Sequence, residues 1–258
     1  MDEKEKICKE FIDLYLVVKR VREECPWDQK QTSQTLIPYF LEESYELIDA
    51  LEKDDSEMIK EELGDILLHI LMQSIMAEEK NRFNFEEVCK NLKIKLITRH
   101  PHVFGEIRVE GVEDVLTNWE NIKSKEKEEK GILSGIPKNM PALLTAFRIQ
   151  EKASHVGFDW KNSKEILPKL YEEIKELEKA IQEDNKEKVE EEIGDLLFTV
   201  VNISRHLGID PESSLRKTNN KFTERFNYIE RKVKESGKDW KDYSLEELDE
   251  LWEASKTL

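Results

Sequence analysis

The sequence predicts an all-α protein made of two tandem, homologous helical domains, and three observations carry that expectation. Charged residues make up 38% of the 258 positions, while glycine and proline together contribute only 16. That is the composition of long helices and not of an all-β fold. Apolar residues recur at helical spacing, as Leu36, Ile37, Phe40, Leu41, Leu47 and Leu51 do. Finally, the stretch LGDILLHI at 63–70 returns as IGDLLFTV at 193–200, each time behind a run of acids.

The elements follow in order. The first half is predicted to form helices over 3–24, 35–53, 56–80, 84–99 and 113–129. The third of these carries Ile59, Leu63, Ile66, Leu67, Ile70 and Leu71 on one stripe. The second half repeats the plan over 140–153, 163–183, 185–207, 211–235 and 244–257. Between the second and third helices of each long pair stand Asp54–Asp55 and Asp184–Asn185, residues that suit a tight turn and an N-cap. So short a connection makes the flanking helices antiparallel neighbours.

Internal self-similarity supports two domains and not a solenoid, which needs more copies. Four stations recur in the same order. Glu42, Glu43 and Glu46 reappear 130 residues later as Glu172, Glu173 and Glu176, and Glu62 and Asp65 as Glu192 and Asp195. Lys95 and Arg99 answer to Lys221 and Arg225 at an offset of 126, and Trp119 and Lys123 to Trp252 and Lys256 at 133. We therefore expect an N-terminal domain over 1–125, a linker over 126–138 and a C-terminal domain over 139–258. The linker region begins as a charge run and ends rich in glycine and proline.

A net charge of −16 disfavours binding a nucleic-acid polymer, whose backbone it would repel. It still admits a small polyanion if a divalent cation bridges the two. The chain lacks an apolar run of about 18 residues and an apolar N-terminal stretch, so neither a membrane span nor a signal peptide is expected. Cys8, Cys25 and Cys89 match no zinc spacing and read as incidental thiols of a cytoplasmic protein.

The acids carry the chemistry. Residues three or four apart share a helix face, so Glu43 with Glu46, and Glu62 with Asp65, can converge from two antiparallel helices. Four carboxylates at one place repel unless a cation sits among them, and Mg²⁺ suits such an oxygen cluster. Isolated, EExxE is a solvated face in a chain this acidic, and Glu246, Glu247 and Glu250 are read that way. The compound pattern is different, because fifteen residues separate Glu46 from Glu62 and fifteen again separate Glu176 from Glu192. Gly64 and Gly194, each before the aspartate, cost about 1 kcal/mol in a helix interior. Close approach of a neighbouring helix would explain their presence.

EESYE…EELGD and EEIKE…EEIGD resemble the MazG family of nucleoside triphosphate pyrophosphohydrolases. The likeness extends to CPWDQKQT at 25–32, RHPHVFGE at 99–106, VGFDW at 156–160 and NNKFTERF at 219–226. The resemblance implies an all-α NTP pyrophosphatase fold with a four-helix-bundle core and a homodimer. It also implies Mg²⁺-dependent (or Mn²⁺-dependent) cleavage of (deoxy)nucleoside triphosphates between the α and β phosphates, with broad base specificity. On that basis Glu43, Glu46, Glu62 and Asp65 would hold metal in the first half, and Glu173, Glu176, Glu192 and Asp195 in the second. Glu42 and Glu172 would flank the clusters as water-mediated ligand or base. Lys221 and Arg225, with Lys95 and Arg99 as their first-half equivalents, are placed to meet the leaving phosphates. Trp252 with Lys256, and Trp119 with Lys123, offer an aromatic face and a cation for a base. Asn219 is expected to touch sugar or phosphate, and Phe158, Asp159 and Trp160 to close one side of the pocket.

His69, four residues beyond Asp65, is not expected to ligate, because its repeat counterpart is Thr199; a satisfied or flanking histidine is the reading. His100 and His102 flank Pro101 in an expected loop. The second half is the expected active one. Two other readings stand beside this: a dUTPase-like or phosphoribosyl-ATP pyrophosphohydrolase activity on the same fold, and a non-catalytic metal-binding helical scaffold.

Overall fold

The computed structural model describes residues 2–112, 114–115, 118–119, 122 and 131–256. The chain divides into two compact units, Met1–Lys127 and Glu128–Leu258. In the first, α1 spans Glu3–Glu24, α2 Ile37–Lys53, α3 Ser56–Glu79 and α4 Phe85–Arg99, with a single turn, α5, at Pro101–Phe104. In the second, α6 spans Ala142–Ser154, α7 Ser163–Gln182, α8 Lys186–His206, α9 Pro211–Ser236 and α10 Leu245–Ser255. No strand occurs among the described residues. The predicted helix over 113–129 falls largely outside the described residues, as do Lys123 and residues 126–130 of the expected linker. The loop expected around Pro101 is instead the helical turn α5, where proline takes the first position, at which its missing N–H costs nothing.

Each unit is organised around one antiparallel hairpin, α2–α3 in the first and α7–α8 in the second. The turns of the two hairpins are built alike. Asp54 and Asp184 end the leading helix with φ of 54° and 53°. In that left-handed region a short polar side chain is tolerated where a branched one is not. The next residue turns its backbone N–H onto the helix just ended, Asp55 to Ala50 O at 3.2 Å and Asn185 to Ala180 O at 3.3 Å. Its side chain then caps the following helix: Asp55 accepts from the Glu57 and Met58 amides, and Asn185 from that of Lys188. Ala50 and Ala180 are both buried, so each turn is closed over a small residue.

The helix that carries ExxD is the central one in each unit. In the first, α3 packs on α1, α2 and α4, and Val18, Leu36, Leu71, Met72, Ile75 and Met76 form a dry core. In the second, α8 packs on α7 and α6, with Ile166, Ala180 and Val201 buried and Ile229 and Val233 of α9 closing the unit. Leu71 and Val201, 130 residues apart, are both fully enclosed. The acids of ExxD lie nine and six residues N-terminal to that anchor, about two turns away, at the edge of the packed region.

The expectation of close helix approach at Gly64 and Gly194 is overturned. A Cβ at either would meet nothing within 4 Å, and both residues are exposed. Their side of the helix is open space beside the aspartate. Gly64→Ala and Gly194→Ala should therefore each stabilise the metal-free protein, by up to about 1 kcal/mol in urea denaturation, since alanine is the better helix former and nothing is there to clash. Removing the caps acts the other way: Asp55→Ala and Asn185→Ala should each cost about 1 kcal/mol in the same measurement. An unchanged midpoint would show that water replaces the cap without loss.

Candidate metal centre and substrate site

The hairpin geometry brings the acids together. In the first unit, carboxylate oxygens of Glu43, Glu62 and Asp65 all lie within 4.8 Å of one another; in the second, those of Glu173, Glu176 and Glu192 do. Glu46 and Asp195 stand outside these groups but near enough that the charge of Glu46 acts on Glu43 and Glu62, and that of Asp195 on Glu192. Glu62 and Glu173 are buried, at 8% and 4% exposure.

Such clustering has an electrostatic signature. Burial first, then the charges of Asp65, Glu46, Glu62 and Glu42, push the Glu43 carboxyl above the usual carboxylate range. Glu62 is raised by burial and by Glu46, Asp65 and Glu61, with partial relief from a hydrogen bond with Glu43. Glu192 is raised in the same way by burial and by Glu176, Asp195, Glu173 and Glu191. Glu62 also has a buried oxygen, Oε2, with no hydrogen-bond partner. Buried polar atoms are rarely left so. Convergent carboxylates, mutual repulsion and a buried, unsatisfied carboxylate oxygen together fit a hard divalent cation.

The two clusters differ in one respect that sequence reading missed. Lys169 Nζ stands 2.9 Å from Glu172 Oε1 and 2.9 Å from Glu173 Oε1. Hydrogen bonds to Glu172 and Glu173 raise the Lys169 ammonium well above its ordinary range. Its counterpart 130 residues earlier is Tyr39. The signal was a lysine three and four residues before two acids, but in a chain this charged that spacing looks like an ordinary surface pair.

The third and fourth stations also meet. The Arg225 guanidinium lies over the Trp252 ring, 5.4 Å from its centroid, and Phe222 packs on the same tryptophan at 5.2 Å. In the first unit Arg99 lies over Trp119 at 5.5 Å, with His100 edge-on at 5.0 Å. The two pairs thus share one cation–π geometry. Lys256, the residue just past α10, bonds to Glu253 of that helix, and Lys95, Lys221 and Asn219 are exposed. Phe158, Asp159 and Trp160 line a cavity with Gln150, Phe198 and Arg205, and none of the acids of the cluster is in its wall. Burial pushes the Asp159 carboxyl up, but hydrogen bonds from Arg205 and His206 outweigh it and hold Asp159 below its ordinary value.

His69 lies outside the acid cluster, edge-on to Phe40 at 5.7 Å. It flanks the site, one of the two placements expected of it; its Nδ1 is buried without a hydrogen-bond partner, and burial lowers its pKa. Glu246, Glu247 and Glu250 form an exposed face, as read. The three cysteines are free thiols. Among the described residues no helix is long and apolar enough to cross a membrane.

A pH dependence follows. An acid whose folded pKa is raised binds its proton more tightly folded than unfolded. Its contribution to stability is complete below the unfolded value and is lost as pH rises through the folded one. In the metal-free protein, Glu62→Gln should therefore unfold at a higher temperature than wild type at about pH 8, and the gap should close towards about pH 5. Thermal unfolding in a chelating buffer measures this, and a gap that is constant across the range would remove the repulsion argument.

Comparison with known proteins supplies a separate line. The model of the MazG nucleotide pyrophosphohydrolase domain matches the chain twice, over residues 31–104 and 161–229. The chain is 45% identical over 250 residues to the nucleoside triphosphate pyrophosphohydrolase/pyrophosphatase MazG of Thermotoga maritima, covering 95% of each. It is 40% identical over 251 residues to the nucleoside triphosphate pyrophosphohydrolase of Escherichia coli K12, covering 94% of this chain and 95% of that one. A third relative is the YabN protein of Bacillus subtilis, 41% identical over 96% of this chain and 52% of its own length.

Proposed function

The chain belongs to the MazG nucleotide pyrophosphohydrolase family, with the domain present twice, and from that premise we propose that its second unit hydrolyses nucleoside triphosphates between the α and β phosphates. That it is a nucleoside triphosphate pyrophosphohydrolase, a hydrolase, follows from membership and from relatives of that name matching end to end. The bond cleaved, the metal, the active half and the residues are our reading.

The observation that carries it is the cluster of Glu173, Glu176 and Glu192, with Asp195 beside it, on the α7–α8 hairpin. These four would hold Mg²⁺, with Mn²⁺ as a substitute. The ion would neutralise phosphate charge and make a water more acidic. Glu172, beside Glu173 and the more exposed of the two, would act as base for the attacking water or as a ligand through water. That water adds to the α phosphorus as the bond to the α–β bridging oxygen breaks, and pyrophosphate leaves. Lys221 and Arg225 meet the charge developing on the leaving group. Trp252, Lys256 and Asn219 would border the same substrate, and Phe158, Asp159 and Trp160 would close one side of its pocket. In the first unit Glu43, Glu46, Glu62 and Asp65 would hold metal in the same way, with Glu42, Lys95, Arg99, Trp119 and Lys123 as the equivalents of the second-unit residues. Lys169 in the second unit, where the first has Tyr39, favours the second as the active one.

The protein would act as a cytoplasmic homodimer, over domains at 1–125 and 139–258. Exposed Leu167, Tyr171, Ile174, Ile181, Ile193 and Leu197 on the α7–α8 hairpin are apolar surface of the kind a second copy covers. Broad base specificity is the expectation.

Product analysis tests the reading. With Mg²⁺, the wild type should convert ribo- and deoxynucleoside triphosphates to monophosphate and pyrophosphate. Losing one metal ligand exceeds the roughly 10–100-fold that outer-shell partners cost, so Glu173→Ala should fall by at least about 100-fold. Glu43→Ala should retain activity. Loss in Glu43→Ala alone would move the active site to the first unit. Diphosphate and orthophosphate as products would overturn the bond assignment. Turnover of dUTP or phosphoribosyl-ATP alone would select the sister activities, and no metal-dependent turnover would leave a scaffold.

A further inference from the structure

The cavity beside the VGFDW segment is built as a ligand site in its own right. It encloses about 540 Å³ within the second unit. Its walls are apolar through Leu133, Ile149, Phe158, Trp160 and Phe198, and polar at Gln150, Asp159, Asn202 and Arg205. A few placed polar groups in an apolar cleft of this size are what a small planar ligand requires.

The polar groups are fixed in what they can offer. Gln150 is buried, at 6% exposure. Its Nε2 donates to the Phe198 carbonyl at 2.8 Å, and a carbonyl can only accept, so the amide orientation is determined. Gln150 Oε1 is then left buried with no hydrogen-bond partner. Arg205 spends its terminal nitrogens on Asp159 and on Asn202 Oδ1, the latter at 2.9 Å, while its buried Nε has no hydrogen-bond partner. With the Asn202 oxygen taken, the donor end of that amide is the one to offer. The cavity therefore presents one stranded acceptor and neighbouring donors.

The first unit is an internal control. Shifted by 130, Asn202 and Arg205 fall on Met72 and Ile75, both at 3% exposure in the dry core of that unit. The same face of the same repeated helix is solid hydrocarbon in one copy and polar around a void in the other. Packing does not call for that change, since apolar residues of this size already fill the position once.

We propose that this cavity binds a nucleobase, or a base-like heterocycle, whose edge sets an N–H donor beside a carbonyl, as uracil, guanine and hypoxanthine do. The N–H satisfies Gln150 Oε1, the carbonyl accepts from Asn202 or Arg205 Nε, and the ring packs against Phe198 and Trp160. Phe198, Asn202 and Arg205 follow Asp195 by three, seven and ten residues, which places them within about 80° of it around α8 and about 5–15 Å further along. Two sources of the base are therefore in reach: the substrate held at the acid cluster, in which case this edge would narrow the broad base specificity expected above, or a second nucleoside. The inference goes beyond the reaction proposed above and does not require it.

The test is a calorimetric titration of full-length, metal-free protein with uridine and with cytidine, whose ring nitrogen carries no hydrogen at the matching position. Uridine should bind saturably and more tightly than cytidine. Gln150→Leu and Asn202→Met should each weaken it about 5- to 10-fold, the loss of one hydrogen bond. Asn202→Met installs the residue the first unit carries, and the thermal midpoint of each variant confirms that it is folded. No saturable uridine binding up to about 10 mM would overturn the proposal and leave a cavity filled by water. So would equal binding of cytidine, or binding indifferent to both substitutions. Steady-state kinetics with UTP then separates the sources. A raised KM at unchanged kcat in both variants identifies the substrate's own base, and unchanged kinetics with weakened uridine binding identifies a second ligand. A protein with no turnover can still be titrated, so failure of the reaction assignment and failure of this one are distinguishable.

Discussion

Repulsion among carboxylates held between two helices is the constraint on which this structure depends. Glu43, Glu62 and Asp65, and again Glu173, Glu176 and Glu192, are gathered at one place by a hairpin whose strength comes from elsewhere. The tight αL turn, the Asp55 and Asn185 caps and the packing below, at Leu71 and Val201, hold the helices in register against that repulsion. A free pair of helices would relieve it by sliding or splaying. The stress appears as carboxyls that keep their protons to higher pH than usual, and in the first unit as a buried oxygen of Glu62 with no partner. A site under such stress binds a cation well because the cation removes a cost already present.

Duplication separates what the hairpin requires from what each copy does. Turn, caps, acids, the exposed glycine before the aspartate and the arginine over tryptophan are common to both units. Three differences stand against that background. Lys169 replaces Tyr39 and places a positive charge across Glu172 and Glu173. Thr199 replaces His69, removing a buried ring. Asn202 and Arg205 replace Met72 and Ile75, exchanging dry core for a polar wall. All three belong to the α7–α8 hairpin or its immediate surroundings, so the second unit has become more polar around an unchanged acid frame.

The helices were legible because their signals are local. Asp54–Asp55 and Asp184–Asn185 specify a turn by side-chain chemistry alone, and the apolar stripe over 56–80 needs no partner to be recognised. The glycines were misread for the opposite reason. A helical glycine signals that a Cβ is unwelcome or unneeded, and only the neighbouring atoms say which; at Gly64 and Gly194 the neighbour is open space. Lys169 and Gln150 were invisible for a related reason. One looked like a surface ion pair and the other like any helix-interior amide, until burial and the fixed Phe198 carbonyl gave each a particular role.

By itself, then, the amino-acid order determined the helical class, the two-fold repeat, the family resemblance and which carboxylates face one another, since periodicity, turn residues and spacing are properties of the chain. Only the tertiary structure decided that the glycine flank is open, that Lys169 spans Glu172 and Glu173, and that one repeated face is solid while the other lines a cavity. Those outcomes depend on distances between residues remote in sequence and on which polar atoms water can still reach, and neither quantity exists until the helices are packed.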